Sequence, residues 1–172
     1  VALHQWQLWF LEHQKPGPFT REFSALCRDA FARGATREGI PVPGGTRVSA
    51  FQREVTTELG ALGLSPQSEV VTDMGFTFDA IVEWQGELVM VEVDGPHHFL
   101  RRTRSPTTNT RLKRRQARRL GFRLCSIAWW EWAEWCECSQ QQRAEHVHAA
   151  LERAASGPRT VRTPRFQWPW RP

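Results

Sequence analysis

Apolar positions along the chain alternate between helical and strand periods, and glycine and proline mark the changes. From Ala2 to Gln14, Leu3, Trp6 and Phe10 form one helical stripe, widened by Leu8, Trp9 and Leu11, and Pro16, Gly17 and Pro18 stop it. Thr20 is placed to cap a second helix ending at Gly34, with Phe23, Leu26, Cys27, Ala30 and Phe31 on one face. Residues 38–46 hold three Gly and two Pro and predict a linker. Ser49 caps a predicted helix from Ala50 to Leu62 whose stripe is Phe51, Val55, Leu59 and Leu62. Glu69–Val71, Phe76–Trp84 and Leu88–Val93 are strand-like, and Gly86-Glu87 predicts a two-residue turn between the last two. Asn109 predicts the start of a helix from Thr110 to Leu120, closed by Gly121. Phe122 to Ala128 reads as a strand and Trp129 to Trp135 as helical or irregular. Ser139 and Gln142 have the spacing of a capping box, which predicts a last helix from Gln140 to Ala155.

The order α-β-β-β-α-β predicts a small α/β core with N-terminal helices, a C-terminal helix and an extended tail. We divide the chain into a helical segment and linker (1–45), the core (46–135), a helix (136–156) and a tail (157–172). The tail carries four Pro, four Arg and no acid, with Phe166, Trp168 and Trp170 among them. It lacks a packing period and reads as an arm that orders on RNA or on protein.

Nine Trp and ten Phe can bury a core, which argues against disorder of the whole chain. No apolar run reaches the roughly 20 residues of a membrane helix, so no membrane partner is expected. Lys and Arg outnumber Asp and Glu by 23 to 18, and only Lys15 and Lys113 are lysine. Such a balance suits nucleic acid, through guanidinium–phosphate forks. A G+C-rich coding sequence gives the same composition, so the placement of charge must decide. Cys27, Cys125, Cys136 and Cys138 are too few for a disulfide framework. Cys136-x-Cys138 with His146-x-His148 does not match the common zinc spacings, and no metal ligand or cofactor is assigned.

Charge is most concentrated between Arg101 and Arg119. Arg101, Arg102, Arg104, Arg111, Lys113, Arg114, Arg115, Arg118 and Arg119 lie there with no acid between them. Only Leu112, Ala117 and Leu120 are core candidates on that helix, so the cations must cover its other faces. With no glutamate to compensate them, phosphate is the expected partner, and Arg159, Arg162 and Arg165 of the tail join the RNA-binding set.

A second concentration is Val91-Glu92-Val93-Asp94-Gly95-Pro96-His97-His98-Phe99. Glu92 and Asp94, two apart on a strand, share a face. With a Gly86-Glu87 turn, Asp79 would stand opposite Asp94 and diagonal to Glu92. Three carboxylates on one face can hold a divalent cation for phosphodiester hydrolysis, with Glu54 as a further ligand and His98 as a base. The structural alternative is that Asp94 fixes a turn and His98 is a satisfied polar residue at the core edge.

From Ser49 to Trp132 the chain resembles a RAP domain. The resemblance rests on Phe51-Gln52-Arg53-Glu54-Val55, Phe76-Thr77-Phe78-Asp79, the Asp-Gly-Pro-x-His-Phe run from Asp94 to Phe99, Leu112-Lys113-Arg114-Arg115, Gly121-Phe122 and Trp129-Trp130-Glu131-Trp132. It implies an organellar protein acting on RNA, and a core similar to PD-(D/E)XK and very-short-patch-repair endonucleases. In that pattern Asp79 and Glu92 fit the two acids, while Asp94 stands where the lysine belongs. The expectation is therefore an RNA-binding module without catalysis, a mitochondrial ribosomal component or similar ribonucleoprotein part, touching ribosomal RNA and neighbouring proteins. The alternatives are a chloroplast location and a metal-dependent RNA endonuclease using Asp79, Glu92, Asp94 and His98.

Overall fold

A computed structural model of the chain describes residues 2–35 apart from 14, 16, 18 and 19, and residues 49–157 apart from 73 and 102. The linker and the tail with Arg159, Arg162 and Arg165 lie outside the described residues, as does Arg102.

The described residues form helices α1 (Ala2–Glu12), α2 (Arg21–Ala35), α3 (Ala50–Ala61), α4 (Thr108–Arg119), α5 (Trp129–Cys136) and α6 (Gln140–Ser156). The strands are β1 (Gln67–Val71), β2 (Thr77–Trp84), β3 (Glu87–Asp94) and β4 (Arg123–Ala128), in sheet order β1-β2-β3-β4. The first two pairings are antiparallel, and β3–β4 is parallel, with α4 as its crossover. The expected α-β-β-β-α-β order is present, inside a mixed sheet with helices before and after it.

The sheet is covered on both faces. Ala80, Val82, Val89, Val91, Val93, Cys125 and Ile127 pack with α3, α5 and α6 through Val55, Leu59, Trp132, Trp135, Val147 and Leu151. Phe78, Ile81, Met90 and Leu124 pack on the opposite side with Ala117 of α4, Leu120 at its C-cap and Leu8 of α1. Burial on both faces explains why β3 reads as a near-continuous apolar run instead of an alternating one.

Three local expectations change. The β2–β3 turn is Gln85-Gly86, with Trp84 opposite Glu87, one residue earlier than the predicted Gly86-Glu87. Both turn residues have positive φ (+50° and +77°), the type I′ geometry, which matches strand twist and wants glycine second. Helix α4 starts two residues before the predicted Thr110, because the Thr107 side chain accepts from the Thr110 N–H and takes the cap assigned to Asn109.

The third change is at the N-terminus. The inward residues of α1 are His4, Gln7, Leu8 and Glu12; of the predicted stripe Leu8 is buried and Phe10 half-buried, whereas Leu3, Trp6, Trp9 and Leu11 face outward, Trp6 at 51% exposure. Phe23 and Leu26 on α2 are likewise exposed, Leu26 at 64%. The polar face turns inward because it has partners there. His4 Nε2 is 2.7 Å from the Met74 carbonyl, and Glu12 meets two arginines of α4.

Candidate functional site

The paired residues of β2 and β3 run from Trp84–Glu87 to Ala80–Val91, and one further step brings Asp79 to Glu92 instead of Asp94. Moving the turn by one residue shifts the pairing by two, so Asp79 stays on the acidic face and only its neighbour changes. Where the ladder ends, the Asp79 carboxylate replaces a backbone acceptor: Val93 N–H donates to Asp79 Oδ2 at 2.7 Å. The amide of Gln52 on α3 donates to Glu69 Oε1 at 2.8 Å and to Asp79 Oδ1 at 3.3 Å, tying the helix to both acids. Burial pushes the Asp79 carboxyl above its usual range, against the opposing pull of the Val93 hydrogen bond and the Lys113 charge.

Glu92 is buried in mid-sheet beside Lys113, whose Nζ is 2.6 Å from Glu92 Oε1. Burial still dominates and lifts its pKa to about 7, with Lys113 lowering it and Asp79 raising it. Asp94, 1% exposed, is the most enclosed of the three. Its Oδ2 accepts from Arg114 Nη2 at 2.6 Å and from the Ser126 hydroxyl on β4, and its Oδ1 lies 3.5 Å from His98 Nδ1. His98 is held below its usual pKa, first by burial and against the attraction of Asp94. Its Nδ1 is also 3.4 Å from Thr110 Oγ1.

Glu54 is not part of this face. Its carboxylate accepts from Trp132 Nε1 at 3.0 Å, on the side of the sheet where α3 meets α5. Each clustered carboxylate is already engaged by a protein donor or cation, and among the described residues no three His, Cys, Asp or Glu groups converge as metal ligands. The arrangement as folded does not fit a divalent cation.

The basic helix has partners that local sequence concealed. Its own stretch contains no acid, yet Glu92 and Asp94 of β3 take Lys113 and Arg114, and the buried Glu12 of α1 takes Arg115 (3.4 Å) and Arg119 (2.8 Å). Expecting all the cations to face solvent or phosphate was therefore too broad. Lys113 and Arg114 point back to the sheet, stacking over the Phe78 and Phe99 rings at 5.3 and 5.9 Å. Arg101, Arg111, Arg115, Arg118 and Arg119 are exposed, and Arg104 pairs with Glu134 at 3.2 Å while lying over Trp130 at 5.4 Å. Of the core candidates on α4, Ala117 and Leu120 are buried, whereas Leu112 is half-buried with Gln116 inside instead.

Arg111, Arg114, Arg115, Arg118 and Arg119 line one open groove of about 790 Å³ with Pro106, Thr108 and Leu112, and no acidic residue lines it. Glu12 and Asp94 fix three of these guanidiniums from behind. Fixed forks lose less side-chain entropy when they grip an anion. Glu12, Gln52, Thr110 and Ser126 are the positioning residues that local sequence did not reveal. They sit from 12 to 107 residues from their partners, beyond any local pattern.

Fold and site together define a small α/β domain in which a basic helix is clamped over the acidic end of a mixed sheet. Residues 91–149, about a third of the chain, match the family model of the RAP domain. The match begins inside β3 and runs into α6, so it includes Glu92, Asp94, His98 and all of α4, and leaves Asp79 outside. The chain is also 33% identical over 110 residues to a protein of Oryza sativa subsp. japonica named "RAP domain-containing protein, chloroplastic". That alignment covers 60% of this chain and 17% of the rice protein, so the chain corresponds to less than a fifth of that relative.

Proposed function

We propose that this chain is an RNA-binding module of an organelle, working within a large ribonucleoprotein and not as a catalyst. The observation that carries the reading is the groove along α4, with five arginines, no lining acid and three guanidiniums held by buried carboxylates. The RAP domain match supports RNA as the ligand, and the chloroplastic relative favours the plastid over the mitochondrion. A ribosomal subunit is the specific assembly we propose. The exposed apolar residues Leu3, Trp6, Leu11 and Leu26 give neighbouring proteins of that assembly a surface to cover. Among the described residues no helix is long and apolar enough to cross a membrane.

Two experiments test this. Arg111→Gln with Arg118→Gln should weaken binding to single-stranded RNA and flatten its dependence on salt, while unchanged affinity would refute the groove. Sedimentation of organelle lysate with and without RNase should show RNase-sensitive co-migration with a ribosomal subunit. Migration as a small free species would remove the ribosomal part of the reading.

The second reading, an endonuclease, has one observation in its favour. Lys113 reaches from α4 to Glu92, supplying the ammonium that Asp94 displaces from the strand position. The paired state of all three carboxylates counts against it. RNA cleavage lost in both Asp79→Ala and Glu92→Ala would establish it.

A further inference from the structure

A second cavity adjoins the groove and shares Pro106, Arg114 and Arg118 with it. It holds about 510 Å³, within the range of small-ligand sites, and runs beside β4, the edge strand of the sheet. Four consecutive strand residues, Arg123 to Ser126, line it, so it follows the outer edge itself. An edge strand presents backbone N–H groups that no neighbouring strand takes. Arg114 and Arg118 of α4 wall it on one side, and Arg153 and Ala154 of α6 on the other. Phe99 and Trp130, edge to face at 4.3 Å, close one end beneath Arg104.

Its charge is lopsided. Arg104, Arg114, Arg118, Arg123 and Arg153 line it against a single acid, Glu131, which already accepts from the Ala128 N–H at the start of α5. Arg123 donates to the Gly157 carbonyl, a neutral partner. The Nε atoms of Arg114 and Arg123 are buried without a hydrogen-bond acceptor. Buried donors left without acceptors, among guanidiniums that repel one another, are what an entering anion relieves. Partial burial, and after it the Arg114 charge, lower the pKa of Arg118.

We propose that the cavity along the β4 edge binds a nucleotide phosphate, with Arg118, Arg123 and Arg153 around the phosphate and Phe99 and Trp130 beside the base. An aromatic end and a guanidinium cluster in one enclosure match the two halves of a nucleotide. The site rests on the RNA-binding reading and adds to it a pocket distinct from the open groove. The same chemistry is offered by the 5′-phosphorylated end of an RNA strand and by a free nucleoside monophosphate.

The test uses the full chain with three probes: a six-nucleotide RNA carrying a 5′-phosphate, the same RNA with a 5′-hydroxyl, and AMP. Arg153 lines only the cavity, Arg111 only the groove and Arg118 both. Binding of the 5′-phosphate RNA should fall at least tenfold in Arg153→Gln, and binding of AMP should stay within threefold in Arg111→Gln. Ala154→Phe fills the cavity while keeping every charge and should reproduce the Arg153→Gln loss. It serves as the second variant, with circular dichroism confirming the fold of each. A 5′-phosphate preference that Arg153→Gln abolishes identifies an RNA end as the occupant. AMP binding with no such preference identifies a free nucleotide. RNA affinity that depends on Arg111 and ignores both cavity variants, with no AMP binding, overturns the cavity and leaves the groove standing. No RNA binding at all removes the RNA reading, and AMP binding lost in Ala154→Phe would then carry the cavity alone.

Discussion

The acidic end of β2 and β3 and the edge of β4 are built from the same kinds of charged residue, and they differ in how completely those charges are answered. At the acidic end every carboxylate faces a donor or a cation from another element: Val93 and Gln52 for Asp79, the Lys113 ammonium as an ion pair for Glu92, and Arg114 and Ser126 for Asp94. At the strand edge five arginines meet one lining acid, and two guanidinium nitrogens find no acceptor. Buried charge that is paired inside the chain holds the fold together, whereas charge left in excess around an open volume is available to a ligand. Counting charges along the sequence merges the two regions, because Arg114 belongs to both.

The comparison breaks most sharply at Asp94. Asp94→Ala strips Arg114, Ser126 and His98 of a shared, buried acceptor and should cost about 3–5 kcal/mol in denaturant unfolding. A cost below about 1 kcal/mol would mean that the acidic end is not the structural half of the pair. Next in size is Glu12→Gln, which releases Arg115 and Arg119 and the anchor of α1. It should destabilise by about 1–3 kcal/mol. Titration with single-stranded RNA should show a steeper salt dependence, since two guanidiniums lose their internal partner.

Glu92 sharpens the comparison through pH. Its carboxyl ionises near 4.5 when unfolded and near 7 in the fold. Its stabilising contribution is therefore complete below about pH 4.5 and is lost as pH rises through 7. Asp79, also raised, acts in the same direction, while His98, lowered by burial, takes stability away as pH falls below 6.5. Subtracting Glu92→Gln from the parent isolates the first effect. The parent should lose about 1–3 kcal/mol relative to the variant between pH 5 and 8, read from urea midpoints. A difference that stays flat with pH would show that Lys113 keeps Glu92 ionised throughout. The smallest effect belongs to Arg111→Gln, exposed and on the groove alone. Stability should stay within about 0.5 kcal/mol, and the salt slope of RNA binding should fall by about one phosphate's share.

Much of the core is legible in the order of residues alone. Ser49 and Ser139 cap the helices they are expected to cap, and the four strands fall where β-branched and aromatic runs lie between turns. Local signals of this kind are written within four residues of where they act. The displaced turn and the displaced cap are also local, each a contest between adjacent candidates. Gln85 gives no sign of accepting a positive φ, and Thr107 outcompetes Asn109 by supplying its hydroxyl to the Thr110 N–H. The candidate site is legible in part. Glu92 and Asp94 announce a shared face by their spacing, but Glu12, Gln52 and Ser126 carry no mark of their roles.

What the sequence determined by itself is periodic and short in range: the α-β-β-β-α-β order, the apolar strands, and a strand that sets two acids on one face ahead of a helix rich in arginine. Only the tertiary structure decided which cations are spent. Lys113 and Arg114 turn inward and Glu12 crosses 103 and 107 residues to hold Arg115 and Arg119, while the cavity beside β4 has five arginines and one acid in its lining. The reason is the range of the forces involved. Hydrogen-bonded caps and hydrophobic periods act between neighbours in the chain, but the energy of a charge depends on its burial and on whatever the fold brings within a few ångströms.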